Sequence, residues 1–295
     1  MNIAITGGSV FIGRHLCARL LKENIPFVCL TRTSTDRSYF ELNNIHCVSF
    51  DLGDAPLADT LRELRVTGVI HLASKFIAEH SRQNIDDLIA SNIRYGTHIL
   101  DACTQGGTKW FLNTGTFWQH YNGATYDPVN LYAATKQAFE DVAKFYAEAY
   151  GLRFCTLKLC DTYGPGDTRK KIFNLFEKIA LSGEVLEMSA GEQLIDIVHV
   201  DHVVSAFLKL IHQLGESMDV AGNCESYYVS SGRQVNLKEL AREYEVMNSV
   251  KLNIKWGARP YRSREVMLPA CVGTRIITSP PQENSTRLSQ ASSTD

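Results

Sequence analysis

The first half of the chain alternates short apolar runs, rich in β-branched residues, with longer segments whose apolar residues recur at helical spacing. This alternation is typical of βαβ units, which build a parallel sheet covered by helices on both faces. The pattern therefore predicts an α/β fold with a doubly wound parallel sheet. The predicted strands cover 3–6, 27–31, 45–50, 69–72, 110–113 and 153–159, and the predicted helices cover 11–22, 87–103 and 132–150.

The alternation loosens after residue 166. The pattern there predicts helices near 171–182, 201–213 and 236–247 and short strands near 194–200 and 226–230. We therefore predict a main domain over 1–165, with returning segments near 194–213, and a smaller C-terminal α/β lobe over 166–277. The last segment, 278–295, is rich in Ser and Thr and poor in aliphatic residues, so we expect it to be disordered.

Composition places the chain among ordinary globular proteins. Of its 295 residues, 44% are hydrophobic and 21% are charged, and 30 Lys and Arg against 32 Asp and Glu give a net charge of −2. Because there is no basic surplus, we expect neither a nucleic-acid nor a membrane partner. The eight cysteines are scattered singly, which predicts reduced thiols. The pattern shows neither a long apolar stretch nor a signal-like start, so we expect a cytoplasmic protein.

A glycine-rich turn joins the first predicted strand to the first predicted helix. Such a turn directs backbone amides at the helix N-terminus, where the pyrophosphate of a dinucleotide binds well. Gly7 permits the tight turn and Gly13 the close contact between helix and strand, but Val10 stands where the middle glycine of this pattern is usual. The predicted cofactor-binding residues of this turn are Gly7, Ser9, Val10, Phe11, Ile12 and Gly13. A glycine turn that binds no ligand is the alternative.

The end of the second predicted strand bears on which dinucleotide is bound. NAD enzymes typically carry an acidic residue there for the ribose 2′-hydroxyl. Here Thr31 is followed by Arg32, with Arg37 nearby, and a guanidinium suits a 2′-phosphate better. We therefore favour NADP(H) over NAD(H), the alternative being an arginine in a solvated loop. Asp51, after the third strand, is a predicted contact to the adenine edge or an ordinary loop residue.

Tyr132 and Lys136 are four residues apart at the start of the strongest predicted helix, so they share one face. An ammonium beside the phenol favours the phenolate, so we expect the pKa of Tyr132 to be lowered from about 10. That predicts a tyrosine equipped for proton transfer. Thr114 follows the strand before it, at the sheet edge where open α/β folds bind ligands.

These residues belong to a series of motifs in one order, and the series resembles the extended short-chain dehydrogenase/reductase family, the NAD-dependent epimerases and dehydratases. The resemblance covers about residues 2–267. It includes TGGSVFIG at 6–13, DLGD at 51–54, HLAS at 71–74, NTGTFW at 113–118, YAATK at 132–136, YGPGD at 163–167, GEQLIDIVHVDH at 191–202, and Asn92 as an isolated match.

The resemblance implies a Rossmann domain with a smaller C-terminal substrate lobe, and a homodimer through helices at about 88–103 and 132–150. It implies that Thr114 hydrogen-bonds a substrate carbonyl, that Tyr132 protonates it, and that Lys136 holds the nicotinamide ribose. Further implied cofactor contacts are Leu52, Leu72, Ala73, Ser74 and Asn92, and implied contacts to a nucleotide-sugar substrate are Thr116, Asp161 and Arg262. No metal is implied, and His199 and His202 are expected to be structural.

Local features favour one reaction within the family. The 4,6-dehydratases carry Asp-Glu after the catalytic Thr, whereas this chain has Gly115-Thr116. A consumable NADPH favours net reduction, and FLNTGTFW with YRSREVM at 261–267 resembles the CDP-abequose and CDP-paratose synthases. We predict an NADPH-dependent reductase of a nucleotide-activated 4-keto-6-deoxyhexose, possibly 3,6-dideoxy in its sugar. The alternatives are a 4-epimerase with bound NAD and a non-catalytic dinucleotide-sensing module.

Two departures concern the charges around the substrate. Many relatives place a diphosphate-binding Arg in the motif that reads Gln193-Leu194-Ile195-Asp196 here, so the cation is replaced by Ile195. Arg262 or Arg264 is the candidate replacement. The basic run over 169–171 is expected to be a solvated surface rather than a phosphate site.

Overall fold

The computed structural model describes residues 1–51, 57–216 and 224–278. Its main feature is an eight-stranded sheet in which every neighbouring pair is parallel. The strands of the large sheet and of three two-stranded sheets are, in chain order, β1 Ile3–Thr6, β2 Phe27–Thr31, β3 Cys47–Ser49, β4 Gly68–His71, β5 Trp110–Thr116, β6 Arg153–Leu159, β7 Asp161–Tyr163, β8 Leu186–Glu187, β9 Leu194–Ile195, β10 Ile197–His199, β11 Cys224–Val229, β12 Val235–Asn236, β13 Ile254–Lys255 and β14 Thr274–Arg275.

The order across the large sheet is β14-β11-β6-β5-β4-β1-β2-β3. Its first six strands in sequence have the 3-2-1-4-5-6 order of a Rossmann sheet, so the predicted fold class is confirmed. The strand predicted at 226–230 spans 224–229 and extends this sheet beside β6 rather than lying in the smaller lobe.

The helices cover both faces of the sheet. They are α1 Phe11–Lys22, α2 Ser38–Leu42, α3 Leu57–Glu63, α4 Ile85–Ile89, α5 Tyr95–Gly106, α6 Leu131–Tyr150, α7 Ile172–Ser182, α8 Val200–Glu216 and α9 Leu237–Asn248. A π-helical turn, Ala90–Arg94, joins α4 to α5. Burial of apolar side chains fixes this arrangement: α1 and α8 close one face, and α3, α5 and α6 close the other.

A separate small core lies in the C-terminal part of the chain. Phe173 and Phe176 of α7 pack with Leu240 and Tyr244 of α9. The two-stranded pairs β8–β13 and β9–β12 flank these helices. These elements form the smaller lobe beside the carboxyl edge of the large sheet.

Most predicted elements are present with shifted ends. Three predicted strands differ more: one is shorter, one is interrupted and one is longer than predicted. The strand predicted at 45–50 is reduced to three residues, and the one predicted at 194–200 is broken at Asp196. Asp196 instead accepts hydrogen bonds from Ser230 and Ser231. The strand predicted at 110–113 continues to Thr116, so Thr114 lies inside β5.

The disorder predicted beyond Thr278 and the contact predicted for Leu52 fall outside the described residues.

Candidate active site

The turn between β1 and α1 has the geometry of a phosphate-binding loop. Gly7 has φ +72°, and a Cβ there would lie 2.7 Å from the Ala73 backbone nitrogen. A Cβ on Gly13 would lie 2.0 Å from the Gly7 carbonyl oxygen, so glycine is needed for α1 to begin this close to β1. The amides of the first helical turn have no acceptor within α1, which makes this end suitable for an anion.

Val10 replaces the usual middle glycine without backbone strain. Its φ of −89° and ψ of 170° are extended values that valine adopts readily. The side chain is 52% exposed and, with Ser9, Phe11 and Ile12, forms part of a cavity wall. The replacement therefore adds an isopropyl group to the wall and leaves the turn intact.

Arg32, directly after β2, has a side chain that is free to bind a ligand. Arg32 is exposed, and within the described residues its guanidinium makes neither a hydrogen bond nor an ion pair. Arg37, by contrast, donates to the Ser49 hydroxyl and is held against β3. The Thr33 amide donates to the Asp51 carboxylate over 3.2 Å, so Asp51 organises the loop that carries Arg32.

A cavity of about 560 Å³ lies at the carboxyl edge of β4, β5 and β6. The predicted site residues in its wall are Ser9, Val10, Phe11, Ile12, Leu72, Ser74, Thr114, Thr116, Tyr132, Lys136 and Asp161. The predicted residues Gly7, Gly13, Arg32, Asp51, Ala73 and Asn92 lie outside this wall. Chain segments far apart in sequence thus meet around one space.

Thr114, Tyr132 and Lys136 contribute a hydroxyl, a phenol and an ammonium to this cavity. The Thr114 Oγ1 atom is buried and has no hydrogen-bond partner among the described residues. Asn130 caps α6 by accepting a hydrogen bond from the Ala133 amide over 2.9 Å. The cap fixes where α6 begins, and this places Tyr132 and Lys136 one turn apart.

Burial changes the pKa values of Tyr132 and Lys136 in opposite directions. It raises the pKa of Tyr132 to about 12, although a hydrogen bond with Ser74 and the charge of Arg169 oppose the rise. It lowers the pKa of Lys136 to about 8, opposed by the Glu140 carboxylate. The prediction of a lowered tyrosine pKa is therefore wrong, because removal of the phenolate from water outweighs the Ser74 hydrogen bond and the charge of Arg169.

Asn92 has a supporting position. It is 1% exposed, and its amide bonds both backbone groups of Lys75, over 2.7 and 3.0 Å. It also accepts from the Ser74 hydroxyl and donates to the Thr135 hydroxyl. Instead of lining the cavity, Asn92 ties the loop after β4 to α6.

A second cavity, of about 330 Å³, extends from the first toward the smaller lobe. Six residues line both cavities: Phe76, Phe117, Trp118, Asp161, Thr162 and Lys171. The Phe76 ring lies edge to face with Tyr132, with 5.0 Å between ring centroids, and 5.6 Å from the Trp118 ring. The sequence pattern does not identify Phe76, because a single aromatic residue in a loop carries no periodic signal.

In the basic run over 169–171, Lys170 is exposed, whereas Arg169 and Lys171 have specific partners. Arg169 forms an ion pair with Asp167 and lies 4.6 Å from the Phe11 ring centroid. Lys171 donates to Asp161 over 2.8 Å and lies 4.8 Å from the Phe76 ring centroid. Because Phe11 and Phe76 are distant in sequence from this run, the local charge pattern does not reveal these two partners.

The two candidate replacement arginines both line the smaller cavity. Arg262 donates to Glu79 over 2.8 Å. Arg264 donates to Asp127, and its buried Nε has no partner among the described residues. The Gln193 Oε1 atom is likewise buried without a partner and lies in the same wall. The smaller cavity thus has an unsatisfied donor and an unsatisfied acceptor.

Thr116 also has a local structural contact. Its hydroxyl accepts a hydrogen bond from the Trp118 amide over 3.3 Å and so caps the short turn Phe117–Gln119. The Thr116 amide donates to the Gln119 side chain over 2.9 Å. This turn carries Phe117 and Trp118 into the shared wall.

A buried network of charged and polar groups lies behind the cavity. The Glu140 carboxylate accepts from Gln119 over 2.8 Å and lies 3.9 Å from the Lys158 ammonium. Lys158 lies 2.6 Å from His120 Nε2, and the other His120 nitrogen bonds the Ala124 carbonyl. Glu140 follows Lys136 by one turn of α6, so a single carboxylate serves two buried lysines.

His199 and His202 each contact a side chain of the protein itself. His199 lies 3.3 Å from the Asp201 carboxylate, and His202 bonds the Thr278 hydroxyl over 2.8 Å. In the parts of the chain that the structure describes, no group of three or more His, Cys, Asp or Glu side chains is arranged to hold a metal ion. Over the same parts, no helix combines the length and apolarity needed to cross a membrane.

Comparison with known families identifies the class. Residues 3–221 match the NAD dependent epimerase/dehydratase family, and the chain belongs to it. The predicted family and the prediction of an NAD(P)-dependent enzyme are thereby confirmed.

Among individual relatives, the chain is 26% identical to a CDP-abequose synthase of Salmonella typhimurium (strain LT2) over 268 residues, covering 90% of this chain and 87% of that protein. It is 25% identical to UDP-glucuronate 4-epimerase 1 of Arabidopsis thaliana, covering 75% of this chain and 57% of that protein. The relatives thus include a synthase and an epimerase.

Solved structures support the fold. A UDP-glucose 4-epimerase of Thermotoga maritima, solved with UDP-glucose, superposes with a TM-score of 0.79 at 22% identity and covers 93% of this chain and 90% of that one. DesIV, a dTDP-glucose 4,6-dehydratase from Streptomyces venezuelae with NAD and TYD bound, gives 0.78 at 21% identity and covers 92% and 88%.

Proposed function

We propose that the protein is an NADPH-dependent reductase that acts on the 4-keto group of a nucleotide-activated 6-deoxyhexose. The main support is the position of three side chains. The Thr114 hydroxyl, which has no partner among the described residues, lines the same cavity as Tyr132 and Lys136, and this cavity shares part of its wall with a second one. A buried hydroxyl without a partner needs a ligand to complete its hydrogen bonding. A carbonyl oxygen between Thr114 and Tyr132 meets that need.

Tyr132 is the proposed proton donor. Since its pKa is raised to about 12, its phenol carries the proton at neutral pH and is able to give it to an oxygen that becomes negative.

The residues of the larger cavity fit a nicotinamide dinucleotide. Gly7 and Gly13 allow its phosphates to approach the N-terminus of α1. The residues that follow Ser9 lie at the same end of this helix and line the cavity. Lys136 is the proposed contact to the nicotinamide ribose. When bound, the dinucleotide supplies the hydride that reaches the carbonyl carbon.

A preference for NADP(H) is part of the proposal. Arg32 is exposed at the end of β2, has no ion-pair partner among the described residues and matches a 2′-phosphate in charge. Arg37 is engaged by Ser49 and is therefore a poor substitute.

The smaller cavity is the proposed site of the nucleotide part of the substrate. The buried Nε of Arg264 needs an acceptor, which a phosphate oxygen supplies. Arg262 and Lys171 lie in the same wall, where they form ion pairs with Glu79 and Asp161. Asp161 and Thr116, at the junction of the cavities, are the proposed sugar contacts.

The decisive experiment measures NADPH oxidation by the purified protein with CDP-, UDP-, dTDP- and GDP-linked 4-keto-6-deoxyhexoses, with and without a 3-deoxy position. We expect turnover of at least one of them and recovery of the 4-hydroxy product. Purified protein that retains oxidised NAD and interconverts 4-hydroxy sugars without added reductant would identify a 4-epimerase instead.

Tyr132→Phe tests the catalytic assignment. Loss of a general acid should lower turnover by about 10²–10⁴-fold. The phenyl ring keeps its contact with Phe76, so the melting temperature should change little. Tyr126→Phe, at an exposed tyrosine, is the matched control. Full activity of Tyr132→Phe would remove the assignment, and a protein that binds the dinucleotide but turns over no substrate would support a sensing module.

We also propose a homodimer formed through α5 and α6. Phe145 and Tyr150 are exposed on α6 and form an edge-to-face pair, an apolar surface suited to a second copy. Light scattering should give a mass twice that of the chain, and Phe145→Glu should shift it to the monomer. A monomeric wild-type protein would contradict the proposal.

A further inference from the structure

Two cysteines from distant parts of the chain meet beside the cavities. The Cys160 and Cys271 sulfur atoms are 3.2 Å apart, although 111 residues separate them. Cys160 directly follows β6, is 6% exposed and lines the larger cavity. Cys271 is partly exposed and lies between Pro269, in the wall of the smaller cavity, and β14.

The surroundings give the two sulfurs different chemistry. A hydrogen bond with Cys160 and the charges of Lys158 and Arg275 lower the pKa of the Cys271 thiol, against burial and the Asp196 charge. The same hydrogen bond and burial raise the pKa of Cys160. Cys271 is therefore the more acidic and more accessible thiol of the pair, and Cys160 is the neighbouring thiol.

We propose that Cys160 and Cys271 are a redox modification site that closes into an intramolecular disulfide when the protein meets a hydroperoxide. The proximity of the sulfurs and the partial exposure of Cys271 carry the proposal. A disulfide needs a sulfur separation of about 2.0 Å, so each sulfur has to move by roughly half an ångström or a little more. Side-chain rotation at a partly exposed position allows that movement.

The chemistry has two balanced steps. The Cys271 thiolate attacks one peroxide oxygen, an S–O bond forms, the O–O bond breaks, and the other oxygen leaves as an alcohol or water after taking up a proton. The Cys160 sulfur then attacks the Cys271 sulfenic acid, the S–S bond forms, and the S–O bond breaks with release of water. The thiol pair loses two electrons and the peroxide gains them.

A second pair in the same chain provides an internal comparison. The sulfurs of Cys17 and Cys29 are 3.8 Å apart, but both residues are 0% exposed and lie in the core between β2 and α1. Neither sulfur of this pair is reached by solvent, so we expect no link between Cys17 and Cys29. Cys29 also has a hydrogen bond with Cys47, which is partly exposed, so a Cys29–Cys47 link in place of the Cys160–Cys271 link would contradict the proposal.

The bond would join two walls of the candidate site. It links the end of β6, next to Leu159 and Asp161 of the larger cavity, to the segment that carries Pro269. That segment is otherwise held by the Gln234 side chain, which donates to the Pro269 carbonyl over 2.9 Å. The proposal concerns the thiols alone and stands whatever the substrate is.

The test treats the reduced, full-length protein with one equivalent of hydrogen peroxide, then denatures it and counts the thiols. We expect the count to fall from the eight free cysteines to six, with a peptide map that links Cys160 to Cys271 and recovery after dithiothreitol. A count of eight, a link between Cys17 and Cys29, or links between two chains would overturn the proposal.

Two variants sharpen the result. In Cys160→Ser the resolving thiol is missing, so a dimedone label should accumulate on Cys271 and no intramolecular link should form. Cys224→Ser removes an exposed cysteine outside the pair and should leave the Cys160–Cys271 link unchanged. Absence of the label in Cys160→Ser, under conditions that oxidise the wild type, would show that Cys271 is not the attacking sulfur.

Discussion

At the scale of single residues, burial decides the charge that each proposed catalytic group carries. Tyr132 and Lys136 share a cavity wall. Burial raises the pKa of the phenol, which favours its neutral form, and lowers the pKa of the ammonium, which makes its charged form less stable. In both cases the charged form loses hydration that neighbours only partly replace. Glu140 matters here because its carboxylate opposes the loss of charge at Lys136.

Replacing that carboxylate should change the pH dependence of the proposed reaction. If activity needs the Lys136 ammonium, it falls as pH rises through the Lys136 pKa of about 8. Glu140→Gln keeps an acceptor for Gln119 but removes the negative charge, so the alkaline limb of kcat/KM should move to lower pH by about one unit. The titratable groups that face this region are Lys158, His120 and His71.

Glu148→Gln is the matched control for this experiment. Glu148 forms an exposed i,i+4 pair with Lys144 on the same helix, away from the cavities. Its pH profile should equal that of the wild type. An unshifted profile in Glu140→Gln, with activity retained, would mean that Glu140 does not set the charge of Lys136, and it would leave the role of Tyr132 untouched.

Arg32→Ala tests cofactor choice at the same scale. A charge-assisted bond to a phosphate contributes about 1.5–3 kcal/mol, so KM for NADPH should rise by roughly 10–100-fold while KM for NADH changes little. Arg37→Ala, which loses the contact to Ser49, should keep the wild-type ratio. An unchanged NADPH:NADH ratio in Arg32→Ala would place the 2′-phosphate elsewhere.

At the scale of elements, the irregular helix over 85–106 does more than cover the sheet. Its π-helical turn, Ala90–Arg94, brings Asn92 to the interior, where the amide bonds the loop after β4 and the side of α6. Irregular turns of this kind are frequent at functional sites because they aim a side chain that a regular helix would turn away.

Asn92→Ala should therefore weaken the fold as well as the site. It leaves the Lys75 backbone groups and the Thr135 hydroxyl without this partner, which predicts a loss of about 2–4 kcal/mol in the free energy of unfolding. Urea titration measures that loss. Asn43→Ala, which removes one exposed bond to the Tyr39 carbonyl, should stay within about 0.5 kcal/mol of the wild type. Weaker cofactor binding without loss of stability would point to direct contact by Asn92.

The sequence predicted elements well where the signal is local. The periodicity over 132–150 corresponds to α6, and the apolar run over 153–159 is β6. It predicted less well where partners are distant: β11 joins the large sheet through β6, about 70 residues earlier in the chain. The same reason explains the basic run over 169–171, whose partners Phe11 and Phe76 are brought near only by the fold.

At the scale of the whole molecule, a buried histidine links folding to pH. His71, at the end of β4, is fully buried, bonds the Thr6 hydroxyl over 2.8 Å and has a pKa lowered to about 3 by burial, with a smaller effect of Lys136. In the unfolded chain the same group takes up a proton near pH 6.5. Stability that depends on neutral His71 is therefore lost as pH falls from about 6.5 toward 3.

The measurement compares unfolding free energies at pH 7.5 and pH 5. The wild type should lose about 2 kcal/mol more over this range than His71→Asn, which keeps an acceptor or donor near Thr6 but does not titrate. His71→Asn will itself be less stable at pH 7.5, so the difference between the two pH values is the informative quantity. His46→Asn, at an exposed position, should behave as the wild type. Equal losses in wild type and His71→Asn would exclude His71 as the acid-sensitive group.

Phe76 bears on how the two cavities communicate. Its ring forms part of both walls, meets Tyr132 at its edge and lies under the Lys171 ammonium. An occupant that displaces this ring on one side alters the shape presented on the other. The affinities for the proposed dinucleotide and the proposed sugar nucleotide should therefore be thermodynamically coupled, and reciprocity requires that each ligand change the other's dissociation constant by the same factor.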